Sequence, residues 1–127
     1  MSIHILAVDD DAGIRRLVQL NLQRAGYRVS TAVDGLDALE KIRADRPDML
    51  VLDVTMPHLD GIELLRRLRQ DPSTADIRVI MLTAKSQDAD IHEGERAGAL
   101  AYIPKPFNPR QLLEVVEQVL RSSAPPE

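Results

Sequence analysis

The sequence contains no cysteine and no tryptophan, and its aromatic side chains are limited to two tyrosines and one phenylalanine. The absence of cysteine excludes disulfide bonds, thiolate metal sites and cysteine nucleophiles. Because aromatic rings are so few, the core has to be built from aliphatic side chains, and 44% of the residues are hydrophobic. A chain of 127 residues with this composition is expected to fold as one compact domain.

Positive charge is not in excess either. The sequence has 16 lysines and arginines against 20 aspartates and glutamates, which gives a formal net charge of −4. This balance offers no general attraction for nucleic-acid phosphates, and no aromatic residues are interleaved with basic ones to stack on bases. We therefore expect no direct contact with nucleic acid.

Long hydrophobic runs are also missing. No segment approaches the length that a membrane-spanning helix needs, and residues 1–5 lack the basic start and apolar run of a signal peptide. These absences favour a cytoplasmic protein that does not touch a membrane. Because residues 122–127 have no apolar pattern, we expect a folded domain over residues 1–121 and a flexible tail over residues 122–127.

Five short apolar runs along the chain predict β-strands. Three of them are compact and rich in β-branched residues, which is typical of strands buried on both faces, and two are more mixed, as edge strands tend to be. The compact runs are Ile3 to Val8, Met49 to Leu52 and Val79 to Leu82, and the mixed ones are Val29 to Ala32 and Ala101 to Ile103.

Apolar residues at helical spacing follow each of these runs and predict five helices. The core-facing side of each helix would be marked by Ile14, Leu17, Val18 and Leu22 in the first helix, by Leu36, Leu39 and Ile42 in the second, by Ile62, Leu65 and Leu68 in the third, by Ile91, Glu95 and Ala97 in the fourth, and by Leu112, Val116, Val119 and Leu120 in the fifth. A strand followed by a helix, five times over, predicts a three-layer α/β sandwich with right-handed crossovers.

Acidic residues follow two of the predicted buried strands. Asp9, Asp10 and Asp11 come directly after the first strand, and Asp53 comes directly after the third. The carboxyl ends of parallel strands meet at one edge of a sheet, so these side chains are expected to share a cleft. Clustered carboxylates either raise their pKa values or bind a cation, and ligands that are all oxygen favour Mg²⁺. Asp11 is more simply explained as the cap of the first helix.

Two further polar side chains are predicted at the same edge. Thr83 stands at the end of the fourth strand, and Lys105 stands at the end of the fifth. A cation and a lysine would offset charge on a phosphoryl group while a carboxylate acts as the nucleophile. The predicted edge is therefore suited to bind a phosphoryl group.

Five motifs, in order along the chain, resemble those of the receiver domain of bacterial two-component response regulators. They are Val8-Asp9-Asp10-Asp11, Leu52-Asp53-Val54-Thr55-Met56-Pro57, Asp60-Gly61, Leu82-Thr83-Ala84 and Tyr102-Ile103-Pro104-Lys105-Pro106-Phe107. The resemblance extends over essentially the whole chain and is to the stand-alone, single-domain type. It implies a flavodoxin-like fold whose five-stranded parallel sheet has the order 2-1-3-4-5, with five helices.

The resemblance also implies roles for the acidic residues. Asp53 would accept a phosphoryl group from a phosphohistidine on a sensor histidine kinase. The chain would then bind an effector or pass the phosphoryl group on to a histidine phosphotransfer protein. Mg²⁺ would be ligated by Asp10, by Asp53 and by the backbone carbonyl of Thr55, while Asp9 would act largely through water. The chain would not be an enzyme in the usual sense, because its only turnover would be the loss of its own phosphoryl group.

A conformational switch is implied as well. Thr83 and Lys105 would contact the bound phosphoryl oxygens, and the Lys105–Pro106 peptide bond would be cis. Thr83 would move toward the phosphoryl group, and the ring of Tyr102 would turn inward into the vacated space. This change would alter the face formed by the fourth helix, the fifth strand and the fifth helix, to which an unidentified protein effector would bind.

Other positions are implied to tune this chemistry or to bind the kinase. Thr55 and Lys85 would influence the lifetime of the acyl phosphate. The kinase would contact the first helix and the loop after the fifth strand at Gly13, Ile14, Leu17, Pro106 and Phe107. Leu100 and Ala101 stand where many dimerising receivers carry acidic residues, which favours a monomer or weak dimer that docks a different protein.

Two alternatives remain open at this level. A phosphatase with an aspartyl-phosphate intermediate would usually need an acid two residues after the nucleophile, where Thr55 stands, and a cap over the substrate. A pseudo-receiver would act as an adaptor without phosphorylation. The presence of Asp9, Asp10, Asp53, Thr83 and Lys105 together favours the phosphorylated module.

Overall fold

The computed structural model describes residues 3–54, 56, 59–84 and 98–122 of the chain. Five parallel strands form one sheet in the order β2-β1-β3-β4-β5. The strands are β1 (His4–Val8), β2 (Arg28–Ala32), β3 (Met49–Asp53), β4 (Arg78–Ala84) and β5 (Ala101–Lys105). All five strand predictions and the predicted strand order are confirmed, and the two mixed runs are the edge strands.

The described residues also contain four helices. They are α1 (Ala12–Arg24), α2 (Gly35–Ala44), α3 (Gly61–Gln70) and α4 (Pro109–Ser122). The helix predicted around Ile91 and Ala97 lies outside the described residues, so the helix predicted as the fifth is α4 here. Ser122, where the tail was expected to begin, is the last residue of α4.

The core has two halves, one on each face of the sheet. Successive side chains of a strand point to opposite faces of the sheet, so each strand contributes to both halves. Leu6 and Leu50 belong to the cluster under α2 and α3. Ile5 and Val51 belong to the cluster under α1 and α4. Strands β1 and β3 are therefore buried on both faces, which explains why their sequences are continuously apolar.

Two leucines that were predicted to face the core are exposed instead. Leu17 of α1 keeps 39% of its surface exposed, and Leu36 of α2 keeps 50%. These two helices pack on the sheet through a narrow stripe, which is formed by Val18 and Leu22 in α1 and by Gly35, Ala38 and Ile42 in α2. A residue one position away from that stripe is turned by about 100° and reaches solvent.

Helix starts follow the polar residues that precede them. The carboxylate of Asp11 accepts hydrogen bonds from the amides of Gly13 and Ile14 at 2.8 and 3.1 Å, so the predicted cap of α1 is confirmed. Asn108 caps α4 in the same way by accepting a hydrogen bond from the amide of Gln111 at 2.8 Å. Among the residues described, none of the helices combines the length and apolar character that crossing a bilayer requires.

Candidate functional site

Three carboxylates lie together at the carboxyl edge of the sheet. Asp9 directly follows β1 and Asp53 is the last residue of β3, and these strands are neighbours with Val8 paired to Leu52. One oxygen from each of Asp9, Asp10 and Asp53 can be chosen so that all three lie within 4.8 Å of one another. The structure thus brings together the acidic residues that the sequence placed on one edge.

The three carboxylates differ in exposure. Asp9 and Asp53 are buried, with Asp53 only 6% exposed, whereas Asp10 is exposed to solvent. The Asp9 carboxylate accepts a hydrogen bond from the amide of Asp11 at 2.9 Å through Oδ1, and Arg15 Nη1 donates to the Asp9 carbonyl at 2.9 Å. Asp9 is therefore held rigidly, while Asp10 leaves the cleft accessible from outside.

Lys105 provides the positive charge of this cleft. Its Nζ lies 3.1 Å from Asp9 Oδ2 and 3.2 Å from Asp53 Oδ1. Burial lowers the pKa of Lys105, but the nearby carboxylates of Asp53 and Asp9 together outweigh it, so the pKa is raised above its usual value. The side chain is therefore a charged ammonium at neutral pH. The Lys105–Pro106 peptide bond is cis, as predicted.

Thr83 borders the cleft from β4. In the sheet Asp53 pairs with Leu82 of β4, and Thr83 is the next residue along β4. The side chain of Thr83 is buried. β4 continues to Ala84, so Thr83 is inside the strand rather than at its end. The half-buried Tyr102 pairs with Met81, two residues before Thr83. Tyr102 and Thr83 are therefore on the same face of the sheet.

The donor set suits a hard divalent cation. All three candidate ligands are carboxylates, and Mg²⁺ is usually held by one or two carboxylates together with water molecules. The exposed Asp10 would leave room for that water. Thr55, whose carbonyl was predicted as a further ligand, and Lys85, predicted to tune the acyl-phosphate lifetime, lie outside the described residues.

The residues predicted to contact a kinase lie at or near the surface of the same edge. Three of them, Gly13, Leu17 and Pro106, are exposed. The other two, Ile14 and Phe107, are half-buried. They belong to the beginning of α1 and to the loop between β5 and α4. This arrangement leaves them available to a protein that approaches the cleft.

One residue has a structural role in the site that sequence reasoning did not assign. A side chain on Gly61 would bring a Cβ atom to 2.3 Å from the carbonyl oxygen of Asp53 and to 3.0 Å from Val54 Cα. The amide of Gly61 also donates to the Val54 carbonyl at 2.8 Å. The Asp60-Gly61 motif was a signal for this position, but the contact itself depends on how α3 packs beneath β3.

Comparison with known proteins gives a consistent result. A family model described as the response regulator receiver domain matches residues 5–117. The chain is 46% identical over 123 residues to the alkaline phosphatase synthesis transcriptional regulatory protein PhoP of Bacillus subtilis, covering 97% of this chain and 50% of PhoP. It is 44% identical over 125 residues to the response regulator MprA of Mycobacterium tuberculosis, covering 98% of this chain and 54% of MprA. The chain thus spans about half the length of these curated relatives.

Solved structures of similar length share the fold. The chemotaxis protein CheY4 of Vibrio cholerae has a TM-score of 0.88 at 38% identity, with 94% of this chain and 99% of that chain covered. The receiver domain of NtrX from Brucella abortus has a TM-score of 0.87 at 32% identity, with 94% and 99% covered. With its fold, its acidic cleft and its match over residues 5–117, the chain belongs to the response regulator receiver domain family.

Proposed function

We propose that this chain is a phosphorylation-controlled signalling module in which Asp53 accepts a phosphoryl group. The observation that carries the proposal is the cleft in which Asp53 lies with Asp9, Asp10 and the ammonium of Lys105. An oxygen of the Asp53 carboxylate would attack phosphorus and form a P–O bond. The P–N bond of the donor phosphohistidine would break, and its electron pair would stay on the imidazole nitrogen, which then takes up a proton.

Mg²⁺ is the cation that this cleft fits. When bound, it would offset the negative charge that accumulates on the phosphoryl oxygens. We propose Asp10, Asp53 and the carbonyl of Thr55 as its direct ligands. Asp9 would act through water. This is supported because both of its carboxylate oxygens already accept hydrogen bonds, Oδ1 from the amide of Asp11 and Oδ2 from Lys105 Nζ.

Phosphorylation would also rearrange the contacts of Lys105 and Thr83. The ammonium of Lys105 already lies between two carboxylates and would pair with phosphoryl oxygens instead. The hydroxyl of Thr83 would donate to the phosphoryl group from the neighbouring strand, and Tyr102, on the same sheet face, would follow by turning inward. Contacts that differ between the two states bias the equilibrium between them.

The partners proposed for this module are proteins. A histidine kinase or histidine phosphotransfer protein would approach the cleft over α1 and the loop after β5. An effector would bind the face that contains β5, α4 and the helix predicted between β4 and β5. PhoP is named as a transcriptional regulatory protein, but this chain matches only half of it, and we propose no direct contact of this chain with nucleic acid.

Incubation with acetyl phosphate and Mg²⁺, followed by intact-mass measurement, tests the proposed function. We expect the mass increase of one phosphoryl group, and we expect excess EDTA to abolish it because the carboxylates would then repel the phosphodonor. Absence of the adduct with Mg²⁺ present would support a pseudo-receiver. Steady hydrolysis of a separate phosphate ester would support a phosphatase.

Replacing Lys105 with methionine is expected to destabilise the Mg²⁺-free protein by about 1–3 kcal/mol, because two carboxylates would face each other without a counter-charge. The loss is smaller than for a fully buried pair, since the Lys105 side chain is 22% exposed. Added Mg²⁺ should recover part of this loss and should stabilise the variant more than the parent protein. Urea unfolding with and without Mg²⁺ measures both effects.

A matched control is Lys41→Met, which removes an exposed lysine paired with Asp37 at 3.4 Å. Its stability should change by less than about 1 kcal/mol, with no dependence on Mg²⁺. An equal gain from Mg²⁺ in Lys105→Met and in the parent protein would show that the lysine and the cation do not compete for the same carboxylates.

A further inference from the structure

The helix α3 begins in direct contact with the strand that carries Asp53. The amide of Gly61 donates to the carbonyl of Val54, and there is no space for a side chain between Gly61 and the Asp53 carbonyl. The buried residues of α3 after Gly61 are Ile62, Leu64, Leu65 and Leu68. A displacement of the backbone at residues 53–54 therefore reaches a helix that is firmly packed along its length.

The other end of α3 is attached to the chain just before β5. Arg69 Nη1 donates to the carbonyls of Ala75 and Ile77 at 2.9 and 2.8 Å, and Arg69 Nη2 donates to the carbonyl of Gly98 at 2.9 Å. The first two carbonyls lie between α3 and β4, and the third lies three residues before β5 begins. One guanidinium thus connects the end of α3 and the segment before β4 with the backbone before β5, which is 29 residues from Arg69 in sequence.

Gly98 is shaped to accept this contact. Its φ is +103°, a conformation that favours glycine, and a Cβ atom there would lie 2.8 Å from Arg69 Nε. Two residues later, the amide of Leu100 donates to the Val79 carbonyl at 2.9 Å. The entry to β5 is therefore held on one side by Arg69 and on the other by β4.

The bonding of Arg69 differs from that of the arginines around it. Arg69 is half-buried, which lowers the pKa of its guanidinium, and its hydrogen bonds go to backbone carbonyls. Its neighbour Arg67 is exposed, and Arg67 Nε lies 3.8 Å from the carboxylate oxygen Oε1 of Glu63. A half-buried cation is retained at a cost in desolvation that the three carbonyls offset.

We propose that Arg69 is a positioning residue that couples the phosphorylation site to the entry of β5. A change at Asp53 would pass through Gly61 to α3 and through Arg69 to Gly98, and so to the strand that carries Tyr102 and Lys105. The inference rests on the proposed phosphorylation of Asp53, and it assigns to α3 the role of a rigid connection of about 15 Å, at 1.5 Å for each of its 10 residues.

Hydrogen–deuterium exchange of the full chain, with and without phosphorylation by acetyl phosphate and Mg²⁺, tests this coupling. The readout is the ratio of exchange rates between the two states at the amides of residues 100–102. In Arg69→Met, which keeps the aliphatic stem, we expect this ratio to fall by at least about twofold, the lower end of what a residue on a coupling route contributes. In Arg69→Lys the fall should be smaller, because one ammonium retains part of the bonding.

The matched control is Arg67→Met on the same helix, for which the ratio should equal that of the parent protein. Intact-mass measurement of the same samples should show equal phosphorylation of all variants. If Arg69→Met is phosphorylated and its ratio is unchanged, Arg69 is only structural and the inference is overturned. If Arg69→Met does not fold, the exchange-rate ratio of Arg69→Lys is used instead, and an unchanged ratio in that variant overturns the inference. If the parent protein is not phosphorylated at all, the proposed function fails, and the coupling fails with it.

Discussion

Replacing Asp53 with asparagine is expected to reduce phosphoryl incorporation from acetyl phosphate by at least about a hundredfold, because a neutral amide is not an effective nucleophile at neutral pH. The substitution also removes the charge that Lys105 Nζ approaches at 3.2 Å and one of the three proposed ligands of Mg²⁺. Intact-mass measurement of the parent protein and the variant, in the same buffer with Mg²⁺, gives the comparison.

The matched control is Asp71→Asn, which changes an exposed aspartate at the end of α3, far from the cleft. It should incorporate the phosphoryl group as the parent protein does. Urea unfolding of both variants shows whether the fold survives the substitution. A phosphoryl adduct that persists in Asp53→Asn would mean that another residue is the acceptor, and peptide mapping would then identify it.

Replacing Gly61 with alanine is expected to destabilise the protein by about 3 kcal/mol or more, because the new methyl group has no space and its neighbours cannot move away. The Cβ atom would lie 2.3 Å from the Asp53 carbonyl oxygen and 3.1 Å from the Asp53 carbonyl carbon, and both are backbone atoms. Relief of the clash would require α3 to move away from β3. Urea unfolding measures the loss in the free energy of unfolding.

Gly13→Ala is the control for this prediction. At Gly13, which is exposed in α1, the nearest atom to an added Cβ is a side-chain oxygen, Asp11 Oδ1, at 3.2 Å. Alanine is the better helix former, so the stability should change by less than about 1 kcal/mol. A loss of similar size in both variants would contradict the explanation by a backbone clash at Gly61.

The sequence was sufficient to predict the strands and the acidic cleft, for a simple physical reason. In a parallel sheet buried on both faces, continuous apolar runs mark the strands, and the residues directly after them must lie on one edge. Asp9 and Asp53 could therefore be placed together without any knowledge of distances. The cap at Asp11 was equally local, because an aspartate before a helix acts on amides two and three residues away.

Other features could not be read from the sequence because they depend on packing between distant segments. The exposure of Leu17 and Leu36 is decided by which narrow stripe of each helix meets the sheet, and the periodic pattern alone does not distinguish Leu17 from the neighbouring Val18. Arg69 resembles the other arginines of α3 in sequence. Its partners lie 6, 8 and 29 residues away, in no repeating relation to it.

The strand β5 lies at the edge of the sheet, and its composition restricts how other proteins can bind there. An open edge recruits a further strand through its unpaired amides and carbonyls, but Pro104, the fourth of the five residues of this strand, has no amide hydrogen. Adding a strand from a partner or from a second copy would lose hydrogen bonds at this position. A protein that binds at β5 would therefore recognise side chains and surface shape, and β5 resists the edge-to-edge aggregation to which parallel sheets are prone.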